Sequence, residues 1–183
     1  GKYLYQSDIP NIVSKMVNKN FYPENSTDLY FVLIDSDVQL DLGYYLSCSS
    51  FCGYHENFSL NNKDIQYALI VNPEKCLHNC SAKEQYIING FSHSPNNDWV
   101  ADAMASIIAH ELNEILTDPL PTKNPAWQNP AKWENADMSA WTYGQLYVTN
   151  NNSVANVKIG ERDYLIQQNW IYDEDGGHPG LSK

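Results

Sequence analysis

The chain is 183 residues long, enough for one domain with a buried core and tight for two. Hydrophobic residues make up 43% and aromatics 13%, which excludes a disordered chain, and no apolar run approaches the roughly 20 residues of a membrane-spanning helix. The formal net charge of -11 repels phosphate backbones, so nucleic acid is excluded as a partner, while cations are attracted.

In chain order, GKYLYQSDIP lacks the charged-then-apolar pattern of a leader peptide, and GKYLYQ is strand-like, able to add to a neighbour's sheet. Asp8 caps a helix over 8–19 in which Ile9, Ile12, Val13 and Met16 recur at helical spacing. PENSTD is a turn. LYFVLIDSDVQL, rich in β-branched and aromatic residues, reads as one buried strand. SCSSFCGYHENFSLNNKD reads as loop, and IQYALIVNP as a second strand stopped by Asn72 and Pro73. EKCLHNCSAKEQYIINGFSHSPNND is irregular. Asp98 caps the longest helix, over 98–118, which Pro119 ends. PLPTKNPAWQNPAKW is a Pro-rich loop. The stretch from Trp141 to Asp173 predicts two or three strands with a hairpin turn at Asn150 to Ser153, and 173–183 is an extended tail. With no repeat and no linker, the whole of 1–183 reads as one α+β domain: a mixed β-sheet packed against a long helix and an N-terminal helix.

Cys48 and Cys52 are spaced C-x3-C, as are Cys76 and Cys80. Four cysteines in paired spacing fit disulfides in an oxidising compartment over a four-thiolate zinc site, with three connectivities open. N-x-S/T sequons begin at Asn25, Asn57, Asn79 and Asn151. Cysteines and sequons together lean towards a secreted, extracellular glycoprotein.

The long helix carries the chemistry. Val100, Ala101, Met104, Ile107, Ile108, Leu112 and Ile115 form an apolar stripe, Glu111 falls inside it, and His110 and Glu114 stand one turn apart on its edge. The run HELNE is a zinc-hydrolase helix with glutamate in place of the second histidine. Ligands at i and i+4 hold an ion, and the glutamate at i+1 is placed to act as general base on a water. A carboxylate in a core-facing stripe needs a cationic or hydrogen-bonding partner, and the chain has only eleven Lys and Arg. A third ligand comes from ENAD, where Glu134 and Asp137 follow His110 by 24 and 27 positions. Asp118 is a weaker candidate, or orients the imidazole from behind. This ligand set makes the domain zincin-like, with Zn2+ as the cofactor, and its two carboxylates shift preference towards harder ions such as Mn2+ or Ca2+. His55 and His78 read as surface or packing residues, His93 as a residue beside the helix, and His178 as solvent-exposed.

YFVLIDSDV, CSSFCGYH, YALIVNP, CLHNC, IIAHELNEILTDP, ENADMSAWTYG and RDYLIQQNWIYD occur in one order. That ordered set resembles the secreted phosphate-induced (EXORDIUM-like) family over roughly Leu29 to Tyr172. The resemblance implies an extracellular protein with disulfides, associated in plants with cell walls and growth, and it supports the zincin-like arrangement. The chain departs at Met138-Ser139, where related sequences tend to place a cysteine, which predicts a looser loop after Asp137. Two functions follow from different classes. One is a metal-dependent peptidase or other hydrolase with Glu111 as base. The other is a non-catalytic structural or adhesive glycoprotein that meets extracellular protein or glycan partners, or itself, with any metal serving the fold. Carbohydrate contact through Trp127, Trp133 or Trp141 is a third.

Overall fold

The structure is a computed structural model that describes residues 2–19, 28–174 and 176–181. It is mixed α+β, with several small sheets. At its centre is a three-stranded sheet in the order β2 (Leu29–Ile34), β5 (Lys63–Val71), β4 (Gly53–Leu60). β2 runs parallel to β5, and β4 runs antiparallel to it. Two further strands, β1 (Lys2–Tyr5) and β3 (Val38–Asp41), pair in parallel as a separate ribbon. The strand-like N-terminus is thus paired within its own chain.

The alternation of β5 builds two cores. Ile65, Tyr67, Leu69 and Val71 pack against α1 (Asp8–Asn18) through Ile9, Val13 and Val17. The intervening Ala68 and Ile70 pack against α4 (Trp99–Thr117) through Ile107 and Ile115. A strand buried on both faces reads as a nearly continuous apolar run, as IQYALIV does. Two helices on opposite faces of one mixed sheet match the expected layering.

The boundaries of the long helix also follow the sequence. Asp98 accepts bonds from the amides of Val100 and Ala101, both at 3.0 Å, and Pro119 lies just past the last turn.

Other expectations are corrected. LYFVLIDSDVQL is two strands, because Asp35 turns the chain: its side chain accepts from Ser36 N at 2.7 Å and its carbonyl from Val38 N at 3.0 Å. The segment expected to be loop between the cysteine pairs contains β4, an eight-residue strand. It forms a hairpin with β5 through Asn61 and Asn62, both at positive φ (49° and 64°), the type I′ arrangement that matches strand twist. The irregular stretch after β5 holds a 3-10 turn at Pro73–Lys75 and two short helices, α2 (Leu77–Cys80) and α3 (Lys83–Ile88).

The C-terminal third has more and shorter strands than expected: β6 (Tyr147–Val148), β7 (Val154–Ala155), β8 (Val157–Ile159), β9 (Arg162–Tyr164) and β10 (Asn169–Ile171). Turns at Asn152 (φ 59°) and Gly160 (φ 61°) break the run into hairpins, the first at the expected position. The tail returns as β11 (His178–Gly180), antiparallel to β10. A third core of Tyr86, Val154 and Leu165, flanked by Trp99 and Tyr143, joins this region to α3 and α4.

The cysteines pair in parallel, Cys48 with Cys76 and Cys52 with Cys80, each across 28 residues and with Cα atoms 5.5 Å apart. Together they clip the loop before β4 onto α2, and Cys76 and Cys80 are buried against α4. Closing loops of this length stabilises the fold by about 2–4 kcal/mol per bridge. The Cys52→Ala/Cys80→Ala pair is therefore expected to lower unfolding free energy by about 2–4 kcal/mol in denaturant titrations. A loss under about 0.5 kcal/mol would show that packing alone holds this loop.

Candidate metal centre

Which face of β4 meets α4 is set by register. Gly53 pairs with Ile70 and His55 with Ala68, so both look towards the helix. The approach is close at Gly53: a Cβ there would collide with the Glu111 carboxylate and stand 2.8 Å from Ile107 Cγ2. Two residues further on, His55 projects into the same interface and is only 7% exposed.

The helix presents a different line from the expected stripe. Ala103, Ile107, Glu111, Glu114 and Ile115 are buried, while Ala101 is exposed and Leu112 is 38% exposed. The helix is rotated so that its carboxylates face inwards. Glu111 and Glu114 are 2% and 4% exposed, and Glu114 is inside the packed face rather than on its edge. Among the described residues, no lysine or arginine pairs with either carboxylate.

The ENAD segment closes the site. Asn135 Oδ1 accepts from Asn113 Nδ2 of the helix at 2.7 Å and from Trp170 N at 3.0 Å, and Asn135 Nδ2 donates to Trp170 O. Gln167 Nε2 donates to Ala136 O at 3.0 Å. These bonds hold the segment that leads up to Asp137, and a 3-10 turn follows at Asp137–Ser139. The turn puts Asp137 Oδ1 3.6 Å from His110 Nε2. Glu134 goes elsewhere, with Oε1 3.5 Å from His55 Nε2.

Two donor sets result, sharing Glu114: His110, Glu114 and Asp137, and His55, Glu111 and Glu114. A tetrahedral ion with bonds of about 2.0–2.2 Å places its donors roughly 3.3 Å apart. His110 Nε2 lies 3.0 Å from Glu114 Oε1. That oxygen is buried yet outside hydrogen-bond geometry with the ring, as is Glu111 Oε2 with His55. Donors that point at a common centre rather than at each other have this relation, so the residues present fit a divalent cation.

Without an ion the same carboxylates hold both imidazoles in the charged form, so a cation that binds here displaces protons. Burial works against charge on His55, but Glu111 and Glu114 outweigh it and hold the imidazole up to about 10. Burial likewise opposes charge on His110, and Asp137 and Glu114 raise it well above its ordinary value. Burial raises Glu111, partly offset by the two histidines. For Glu114 burial is overcome by His110 and His55, which hold its carboxyl down to about 2. Burial pushes Glu134 up to about 8, with Glu114 and Asp118 adding to it against His55.

Asp118 is fully buried, and its carboxylate belongs to neither donor set. It accepts from Ala126 N and Gln128 Nε2, both at 2.8 Å, which pins the Pro-rich loop. Its carbonyl oxygen meets His55 Nε2 at 3.1 Å. It does orient an imidazole, but that of His55 and through its backbone. His55, expected to be a surface or packing residue, is the site residue that sequence reasoning passed over. The period-2 reading of GYHENFSL, anchored on the Asn61-Asn62 turn, is the signal that finds it. His78 and His93 are exposed, and exposed His178 pairs with Asp173 at 2.7 Å.

The site opens into a cleft of about 390 Å³ between the disulfide-clipped loop and α4, with His110, Glu111 and Asp137 at one end. Trp99, Tyr86, Tyr143 and Trp141 line it. Trp141 was a candidate glycan contact; Trp127 instead packs on Tyr172, and Trp133 is exposed on the loop. Asn25 lies outside the described residues. Asn57 is half-buried on β4. Asn79 Nδ2 donates to Cys48 O at 2.8 Å, and Asn151 Nδ2 is held by Ser94 O, Pro95 O and Asn97 Oδ1.

The chain belongs to the family described as the phosphate-induced protein 1 conserved region, whose model matches residues 1–171. It is similar to Protein EXORDIUM-like 3 of Arabidopsis thaliana, with 30% identity over 192 aligned positions covering 94% of this chain and 56% of the relative. It is also similar to Protein EXORDIUM-like 5 of the same plant, with 27% identity over 194 positions, 94% of this chain and 52% of the relative. The chain thus spans about half the length of these curated relatives. No solved structure matches it. Family and disulfides are consistent with an extracellular protein, and no helix among the described residues is long and apolar enough to cross a membrane.

The contact at Gly53 gives a direct test. In Gly53→Ala the new methyl displaces Glu111 or Ile107, and overpacking of this kind costs about 1–3 kcal/mol. Thermal unfolding should fall accordingly. Equal stability of parent and Gly53→Ala would show that the helix and β4 are not in contact here.

Proposed function

We propose that this chain is a secreted, zincin-like domain that holds a divalent cation, Zn2+ before Mn2+ or Ca2+, on His110, Glu114 and Asp137 and hydrolyses a substrate laid in the adjoining cleft, with peptide bonds the leading class. The observation that supports it is the meeting of His110 Nε2, Glu114 Oε1 and Asp137 Oδ1 beside that cleft, which His110 and Asp137 line, at separations of 3.0 and 3.6 Å from the ring nitrogen.

A divalent ion at this position supplies Lewis acidity. Glu111 provides the base: its carboxylate borders the cleft beside Gly53, and burial raises its proton affinity, so Oε1 takes the proton of an attacking water more readily than an exposed glutamate. Trp99, Tyr86 and Tyr143 form the apolar wall against which a substrate side chain rests, and Ser106 and Gln167 offer polar contacts among them.

Elemental analysis of protein purified without added metal or chelator tests the binding. His110→Ala and Asp137→Asn are each expected to lose one equivalent relative to the parent. Glu111→Gln is expected to keep that equivalent and to slow cleavage of a mixed peptide library by roughly 10²–10⁴-fold. Cleavage at the parental rate by Glu111→Gln rules out its role as base.

A structural or adhesive role has one observation in its favour. Tyr3 and Tyr5 of β1 and Tyr44 and Tyr45, just after its partner β3, are all exposed, Tyr44 by 96%. Clustered exposed aromatics suit a contact surface for protein or glycan. Under this reading sedimentation velocity shows concentration-dependent assembly of the parent and a monomer for Tyr44→Ser/Tyr45→Ser. A parent that stays monomeric throughout removes the support for self-assembly.

A further inference from the structure

We infer that the site holds two divalent cations rather than one, the inner ion taken by His55 Nδ1, Glu111 Oε2 and Glu114 Oε2, with Glu114 bridging to the ion on His110 and Asp137. This rests on the proposed outer site only through the shared carboxylate; its other donors are its own.

The inner donor set is built, not incidental. His55 Nδ1 lies 3.4 Å from Glu114 Oε2 and 3.7 Å from Glu111 Oε2, both slightly longer than a tetrahedral edge of roughly 3.3 Å and longer than a good hydrogen bond. Glu111 Oε2 is shielded from solvent and has no hydrogen-bond partner. The other ring nitrogen is committed: Nε2 faces the carbonyl oxygen of Asp118 at 3.1 Å. A carbonyl only accepts, so Nε2 carries a proton, and Nδ1 is the nitrogen left to meet a cation, which would displace its proton. That carbonyl is the outer partner by which proteins fix the tautomer of a metal-binding histidine. The strand face that delivers His55 also delivers Gly53, whose missing side chain lets the Glu111 carboxylate reach the position.

Glu114 joins the two sets. Oε1 lies 3.0 Å from His110 Nε2 and Oε2 3.4 Å from His55 Nδ1, so one oxygen belongs to each. A carboxylate divided in this way spans two cations roughly 3.5–4 Å apart, the spacing of two-metal hydrolytic sites. Glu111, Glu114 and Asp137, the carboxylates of the two donor sets, meet no lysine or arginine among the described residues. The mixed nitrogen and oxygen donors suit Zn2+ or Mn2+. In the two-ion site Glu111 gives Oε2 to the inner ion and keeps Oε1 on the Gly53 side, facing the cleft.

The test uses the full chain freed of metal with chelator and then titrated with Mn2+, read by bound equivalents and by electron paramagnetic resonance. The expected result is two equivalents with an exchange-coupled spectrum in the parent, and one equivalent with an uncoupled spectrum in each of His55→Ala and His110→Ala. Should His55→Ala not fold, Glu111→Gln answers in its place: it is expected to keep the outer equivalent and to lose the inner one together with the coupled signal. One equivalent in the parent, kept in His55→Ala and lost in His110→Ala, overturns the inner ion and leaves the outer site standing. One equivalent lost in His55→Ala but kept in His110→Ala supports the inner position and overturns the outer one. Two equivalents without coupling, both retained in His55→Ala, overturn the bridge and the inner ion together, and no binding in any sample overturns both sites.

Discussion

Everything near the long helix follows from two carboxylates that it carries into the interior. A charged group taken out of water costs several kcal/mol unless it is paired, and no lysine or arginine meets Glu111 or Glu114 among the described residues. The surrounding elements are arranged to meet that demand. β4 brings His55 from the sheet, the helix brings His110 from its own previous turn, and the 3-10 turn brings Asp137. Asn135 and Gln167 are spent on holding that turn in place, and Asp118 is spent twice, on the loop beyond it and on the ring of His55. Such a layout costs stability relative to an apolar core and suits a site rather than a scaffold.

Much of the frame was legible because single residues dictate it. Asp98 and Pro119 bound the long helix through capping and through a missing amide. The apolar run of β5 signals a strand covered on both sides, and α1 and α4 cover it. The site was legible in part. HELNE and ENAD pointed to a helix and a loop whose side chains meet in the structure. The choice between Glu134 and Asp137 depends on a single 3-10 turn, which three-residue spacing does not distinguish from a helical one. The rotation of the helix also escaped the sequence. Its apolar positions predict a face through Ala101 and Leu112, but Glu114 turns inwards to meet His55 and His110.

His55 was hidden for a different reason. Its strand starts one residue after a cysteine and alternates glycine, tyrosine, histidine and glutamate, so neither face reads as apolar. Only the Asn61-Asn62 turn fixes the register, and register decides that His55 rather than Tyr54 looks at the helix. Disulfide connectivity was open for the usual reason that spacing carries no partner information. The parallel pairing became plain only once α2 lay beside the loop before β4.

The two bridges couple chemistry to compartment. Gly53 follows Cys52 directly and His55 is two residues further, so the histidine-bearing end of β4 is tethered to α2 by sulfur. In a reducing environment that tether opens, and the loop that walls the cleft is free to leave α4. Oxidation thereby helps to assemble the cluster of His55, Glu111 and Glu114: while the thiols are free, the end of β4 that carries His55 has no covalent anchor beside the helix, and it gains one when Cys52 and Cys80 join.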